Sequence, residues 1–205
     1  MRGPQFFEME EAMGLVMEYV ECVACETVAQ RLERDGIFPL SHAIRVLRSA
    51  ADALNRLHWI GILHRDLKPD SIMLESGDVV KLLDFGAVDG VPSGTLGYMS
   101  PEQLLGDALG PASDIFSLGV VFYEMLTGRL PHAGTTVSEL RIQRLLRQPI
   151  PVHWLRPIVP RELGEAVARA LHPEPAERWP SALAFAQAAE RSLLHRPRQL
   201  ELGEY

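Results

Sequence analysis

A helix that is apolar on nearly every side has one stable place, the middle of a core built around it. Residues 113–127, SDIFSLGVVFYEMLT, read as such a helix, with Gly128 as its stop and Pro131 just beyond. The run is too short for a membrane span, which needs ~20 apolar residues, and it carries Glu124. The chain must therefore wrap this segment in its own elements. With 205 residues, 47% of them apolar, it has enough material for one sizeable domain or two small ones. The net charge is −7, with acids and bases mixed and no basic stripe, which argues against nucleic acid as a partner. The opening MRGPQFFEMEE has no signal-peptide apolar region. A cytoplasmic protein is expected, with no membrane span in this chain.

What surrounds the central helix can be read from periodicity. GLVMEYV (14–20) is short, apolar and β-branched, and predicts a strand. ETVAQRLERDG (26–36) predicts a helix closed by Gly36. Ala43, Val46, Leu47, Ala50, Leu54 and Leu57 recur at helical spacing over 41–59, with Ser41 as N-cap and Gly61 as terminator. SIML and VVKLL, joined by ESGD, predict a tight hairpin. Residues 85–112 are rich in Gly, Pro and Ser, have no period, and read as a long functional loop. Further helices are expected near 137–147, 161–171 and 181–194, with Pro-rich connectors between them. The order is a few strands first, then mostly helices. Cys22 and Cys25 form a lone CVAC. Without a second ligand pair at metal spacing or thioredoxin-like flanks, they read as two reduced thiols near the surface.

The chemistry-bearing residues are concentrated in two stretches. HRDLKPDSIML fills 64–74, and DFG fills 84–86 just after a predicted strand. His64, Asp66 and Lys68 alone could be a solvated turn. A carboxylate followed by Phe and Gly, however, suits a metal ligand on a mobile loop: Asp offers hard oxygen to Mg²⁺ and Gly permits a hinge.

Together with GTLGYMSPE (94–102) and DIFSLG (114–119), these motifs resemble the protein kinase family, its Ser/Thr branch, over roughly residues 4–194. GYMSPEQ and MLTGRLP look most like bacterial members. The resemblance implies an α+β, protein-kinase-like fold: residues 1–20 as residual N-lobe strands and hinge, 21–194 as a mainly helical C-lobe, and 195–205 as a polar tail. It implies transfer of the ATP γ-phosphoryl group to protein Ser/Thr hydroxyls, with ATP and Mg²⁺ as cofactors. Lys68-Pro69 and the Gly94-Thr95 pair point to Ser/Thr rather than Tyr acceptors.

Residue by residue, the resemblance gives Asp66 the proton of the attacking hydroxyl and Lys68 the γ-phosphate. Asp84 would hold Mg²⁺ against the β- and γ-phosphates. Thr95 would brace Asp66 and Lys68. Met17 matches the gatekeeper, the backbones of Glu18 and Val20 face the adenine edge, Met73 lies beneath the adenine, and Glu26 touches the ribose. Without the other motifs, Met17 and Met73 read as ordinary core. Structural roles are implied for His64 and Phe85 in a stacked column, for Asp114 anchoring the catalytic loop, and for Glu102 with Arg178 as a buried ion pair. Arg65 matches a receiver of activation-loop phosphate, for which Ser93 and Thr95 are the only hydroxyl candidates.

Two departures stand out. Ser71 replaces the Asn that binds a second Mg²⁺, and a Ser hydroxyl is a shorter, weaker metal ligand; Asp70 or a water could compensate. Nothing before VMEYV can be the Gly-rich loop or the strand carrying the phosphate-binding Lys, and Lys68 and Lys81 are the only lysines. The chain is thus expected to start inside the N-lobe, with impaired transfer and with an apolar upper surface that a partner could cover. The alternative reading is a pseudokinase or scaffold C-lobe that binds proteins without catalysis.

Overall fold

The computed structural model describes residues 5–9, 12–16, 25–75, 79–84 and 96–194. Two strands open it, β1 (Gln5–Met9) and β2 (Ala12–Val16), paired antiparallel with Phe7 opposite Gly14. The expected strand at 14–20 is thus met in part by β2. Residues 17–20 lie outside the described residues, as do the tail and the expected hinge residues Met17, Glu18 and Val20. β1 falls within the residual N-lobe strands that the family resemblance implied, although periodicity alone did not mark it, because QFFEM shows no clean alternation.

A second sheet is built from β3 (Glu26–Thr27), β4 (Ile72–Leu74) and β5 (Val80–Leu82), all antiparallel in the order β3-β4-β5. The expected hairpin is β4–β5, with Met73 opposite Lys81. Helix α1 (Val28–Asp35) starts at Thr27, whose hydroxyl accepts from the Gln30 amide while the Gln30 side chain returns the bond to Thr27 N–H. Helix α2 (Leu40–Trp59) begins two residues earlier than Ser41 as its N-cap implied. Pro39 is the cap: its carbonyl accepts from Ala43 N–H at 2.9 Å and opens the ladder, while Ser41 faces solvent.

The remaining elements are helical: α3 (Pro101–Leu105), α4 (Pro111–Thr127), α5 (Val137–Leu146), α6 (Val152–Leu155), α7 (Arg161–Ala170) and α8 (Ala182–Leu194). Helix α3 corrects the reading of 85–112 as loop throughout. The sequence SPEQ is a capping box with Pro at the first helical position, and Ser100 and Gln103 exchange the two bonds. Helix α4 is the expected centre, packed by α2, α6, α7 and α8. Nearly its whole length is buried, from Ile115 and Phe116 to Met125 and Leu126. Gly119 lets α7 come close: a Cβ there would lie 3.0 Å from Ala170 Cβ and 3.2 Å from Leu171 Cδ2. Gly128 ends α4 in the left-handed region, φ 69°, donating to Glu124 O at 2.7 Å.

The cysteines correct the sequence reading. Cys25 is disulfide-bonded, where a reduced thiol was expected. The chain's other cysteine, Cys22, lies outside the described residues.

Candidate active site

The site begins with a helix terminus. Asp114 stands in the first turn of α4 and is almost fully buried. An anion there sits well in the field of the helix N-terminus. Its two oxygens accept from the backbone N–H groups of His64 and Arg65, each at 2.9 Å, and its Oδ2 also meets His58 Nε2 at 2.7 Å. The loop after α2 is therefore hung from the central helix by charge-assisted bonds. Arg65 adopts φ 68°, unusual for a residue with a Cβ. Gln103 Nε2 donates to Arg65 O at 2.6 Å and ties the same turn to α3.

Held in this way, the loop presents Asp66 and Lys68 together. Lys68 Nζ lies 2.7 Å from Asp66 Oδ2, and both side chains are about one-quarter exposed, at 22% and 24%. Solvent, and hence a substrate, can reach them. Behind them Ser71 is buried. Its hydroxyl accepts from Lys68 N–H at 3.0 Å and faces the carbonyls of Lys68 (2.9 Å) and Asp66 (3.3 Å). One hydroxyl has one proton and two lone pairs, so a single lone pair is left over. Ser71 acts first as a brace that folds the loop on itself. Its carbonyl accepts from Leu83 N–H at 2.9 Å, which fixes the loop to the end of β5.

The next residue but one after β5 is Asp84, exposed and at φ 55°. Asp is among the residues that tolerate this region. Its partners in the motif, Phe85 and Gly86, lie outside the described residues, as does Thr95. His64 is buried against the backbone of Leu83. Burial holds its imidazole below the ordinary pKa, against the opposing pull of the Asp114 and Asp66 charges.

The wall on the other side is the segment 96–100. Ser117 Oγ of α4 donates to Tyr98 O at 2.9 Å, and Arg144 Nη2 of α5 donates to Leu96 O at 3.0 Å and Gly97 O at 2.6 Å. Tyr98 Oη donates to Glu124 at 2.6 Å. Burial raises the Glu124 carboxyl pKa, only partly offset by the Tyr98 bond, and nearby Asp70 adds to the rise. Glu102 and Arg178 form the expected buried pair, a two-pronged contact at 2.7 and 2.8 Å. Arg178 also donates to the carbonyls of His172, Ala112 and Pro173.

The sequence-predicted residues separate into groups. Asp66, Lys68 and Ser71 are brought together on one loop, and Asp84 follows the strand bonded to that loop. Met73, in the middle of β4, is half-buried. Glu26 is taken up by ion pairs with Arg31, at 2.9 Å, and Arg34. Sequence reasoning missed His58, Gln103, Ser117, Tyr98, Glu124 and Arg144. Of these, Gln103 carried a signal in its capping box, and Glu124 in being, with Asp114, one of two charges in an otherwise apolar helix.

The protein kinase domain family model matches residues 2–189. The serine/threonine-protein kinase PknB of Mycobacterium leprae is 35% identical over 179 residues, covering 82% of this chain and 28% of that protein. The serine/threonine-protein kinase drp72 of Corynebacterium efficiens is 34% identical over 196 residues, covering 90% of this chain and 36% of that protein. The chain thus spans about one-third of the length of these relatives. Among solved structures, the Mycobacterium tuberculosis PknI kinase domain aligns with a TM-score of 0.72 and 25% identity, covering 91% of this chain and 69% of that one. Rad53 (1–466) in complex with AMP-PNP aligns with a TM-score of 0.73 and 27% identity, covering 90% and 48%.

Proposed function

The chain belongs to the protein kinase family, and on that premise we propose that it transfers the γ-phosphoryl group of ATP to Ser or Thr hydroxyls of a protein substrate. The observation that carries this reading is the Asp66–Lys68 pair at 2.7 Å, partly exposed on a loop suspended from buried Asp114. In this reaction the acceptor oxygen forms a bond to the γ-phosphorus as the bond to the ADP oxygen breaks. The acceptor's proton goes to an Asp66 oxygen. Lys68 turns its ammonium toward the phosphoryl oxygens as their charge shifts toward the leaving group. A carboxylate and an ammonium already held at contact distance need little reorganisation for either task.

Mg²⁺ would neutralise charge on the β- and γ-phosphates. Asp84 suits it: an exposed carboxylate supplies hard oxygen. Among the described residues no three His, Cys, Asp or Glu side chains are grouped to hold a metal alone. That fits an ion held by one or two protein oxygens plus phosphates. Ser71 is proposed as the second oxygen, through the lone pair its backbone bonds leave over. Thr95 is proposed to brace Asp66 and Lys68. The nucleotide base is proposed to lie between Met17 and Met73 along the backbone of Glu18 and Val20, with Glu26 at the ribose. For Glu26 this requires its carboxylate to be shared with Arg31 and Arg34. The similar Rad53 structure is a complex with AMP-PNP, which supports an ATP-type ligand here.

No helix among the described residues is long and apolar enough to cross a membrane. A cytoplasmic location, and a partner covering the surface that would face an N-lobe, remain part of this proposal. The test is incubation with γ-labelled ATP, Mg²⁺ and a generic protein, followed by phosphoamino-acid analysis. Label on Ser or Thr is the expected result. Mg²⁺-dependent ATP binding without label in any protein would instead favour a non-catalytic scaffold.

A further inference from the structure

Asp66 stands directly after an unusual turn. Its N–H donates to His64 O at 2.9 Å across a single residue, Arg65, whose φ is 68°. A bond closed over three residues, with a central φ of about +75°, is the rarer and strained kind of γ-turn. A residue with a Cβ stays in such a conformation only where its surroundings hold it. Arg65 is held at both of its backbone polar groups. Its N–H donates to Asp114 Oδ1 at 2.9 Å, and its carbonyl accepts from Gln103 Nε2 at 2.6 Å.

Both ends of the Gln103 carboxamide are committed. Its Oε1 accepts from Ser100 N–H at 2.8 Å, while Nε2 goes to Arg65 O. Ser100 N–H can only donate and Arg65 O can only accept, so the neighbours fix which end faces which. Helix α3, which carries Gln103, is itself anchored. Glu102 is locked to Arg178, Leu104 is buried, and Leu104 O accepts from Arg141. The side chain thus reaches the γ-turn from a fixed base. It joins the substrate-side segment, through Ser100, to the loop bearing Asp66 and Lys68. A capping box needs only an acceptor at this position, and Glu supplies one as well as Gln does. The donor end of Gln103 therefore has no part in starting the helix.

We propose that Gln103 is a positioning residue for phosphoryl transfer, holding the γ-turn so that the Asp66 carboxylate meets the acceptor hydroxyl. This rests on the phosphotransfer reading of the Asp66 loop. The Arg65 carbonyl and the Asp66 N–H belong to one peptide plane. Gln103 holds its oxygen and His64 O holds its hydrogen, so the plane that leads into Asp66 is fixed at both ends. Without the Gln103 donor, the oxygen end of that plane loses its anchor and the strained turn can relax. A displacement of about 1 Å at a reacting group can cost ~100-fold in rate, so a small rotation is enough to be felt at Asp66.

The experiment compares the whole chain with Gln103→Glu and Gln103→Met. Steady-state transfer of label from ATP to a generic protein is measured with Mg²⁺, alongside denaturant midpoints and amide exchange at Arg65 and Asp66. Gln103→Glu keeps the acceptor for Ser100 and loses the donor for Arg65. It is expected to hold the parent's midpoint, to exchange faster at Asp66, and to show kcat about tenfold lower with KM for ATP unchanged. Gln103→Met loses both ends, and the same fall in kcat is expected with a lower midpoint. Parent-like kcat in either folded variant overturns the proposal, as does a loss confined to Gln103→Met, which would belong to the helix cap. If the parent itself transfers no label, the phosphotransfer reading fails and exchange decides the rest: faster exchange at Asp66 in Gln103→Glu supports the clamp, and parent-like exchange overturns it.

Discussion

Asp66 and Lys68 carry the proposed chemistry, but the residue that places them is Asp114. Its carboxylate accepts from two backbone N–H groups and contacts His58, at distances from 2.7 to 2.9 Å. Hydrogen bonds to a charged group contribute about 1.5–3 kcal/mol each. Asp114→Ala should therefore destabilise the fold by roughly 3 kcal/mol or more, read as a fall in the denaturant midpoint at unchanged slope. Ser71→Ala is milder: it strands the Lys68 N–H and should cost about 1–3 kcal/mol. Lys68→Met should leave the midpoint near the parent value, because an ion pair this exposed contributes about 1 kcal/mol or less to stability. Its effect should fall on transfer, lowered by a factor of about 10²–10³. A Lys68→Met protein as unstable as Asp114→Ala would mean that the loop is merely structural. At this scale the sequence was informative wherever a residue belongs to a contiguous motif, as Asp66 and Lys68 do. It was silent on His58 and Tyr98, whose partners Asp114 and Glu124 lie far along the chain. No local pattern encodes such a meeting.

Among the elements, α3 and α4 decide how the substrate-side wall is held. Glu102 in α3 is tied to Arg178 beyond α7 in a buried two-pronged pair. Removing one partner leaves the other charged and dry, at about 3–5 kcal/mol. Glu102→Gln and Arg178→Met should each show losses of that size. The double variant should lose less than the sum of the two, because neither charge is then stranded; additive losses would remove the pair from the account. Gln103→Ala should cost less stability but loosen the Arg65 turn, seen as faster amide exchange across 64–68. The central α4 was legible because its apolarity needs no partner to be named. Helix α3 was hidden by the Gly, Pro and Ser around it, although SPEQ is itself a helix start. The short α6 and strand β1 depend on tertiary packing and pairing that composition does not reveal.

At the scale of the whole molecule, the buried ionisable groups set an acid limit. Burial depresses the pKa of His64 and of His132 below the ordinary 6.5. The unfolded chain therefore binds these protons more readily, and the stability they contribute is present above about pH 6.5 and lost as pH falls. For Glu102, burial pushes the carboxyl up, but the Arg178 bonds and charge outweigh it and hold it below 4.5. Its share is present above about pH 4.5 and lost as pH falls through the lower folded value. Glu124 acts in the opposite sense: its raised pKa favours the folded state at low pH and weakens it as pH rises. Denaturant midpoints should thus decline from pH 7 to 5 and drop again below 4.5. Glu102→Gln should shrink the second drop, to which the lowered Glu26, Asp35 and Glu139 carboxyls also contribute, and Tyr98→Phe should leave it in place. A midpoint flat from pH 7 to 4 would contradict this charge arrangement.

The central claim is that the loop at 64–71 performs phosphoryl transfer, and the direct measurement compares the chain with its Asp66→Asn variant. Both are given γ-labelled ATP, Mg²⁺ and a generic protein under conditions where both are folded by circular dichroism. Mg²⁺-dependent label on Ser or Thr that falls by a factor of about 10²–10⁴ in the variant is predicted. Equal label from the two proteins, or none from either, would contradict it.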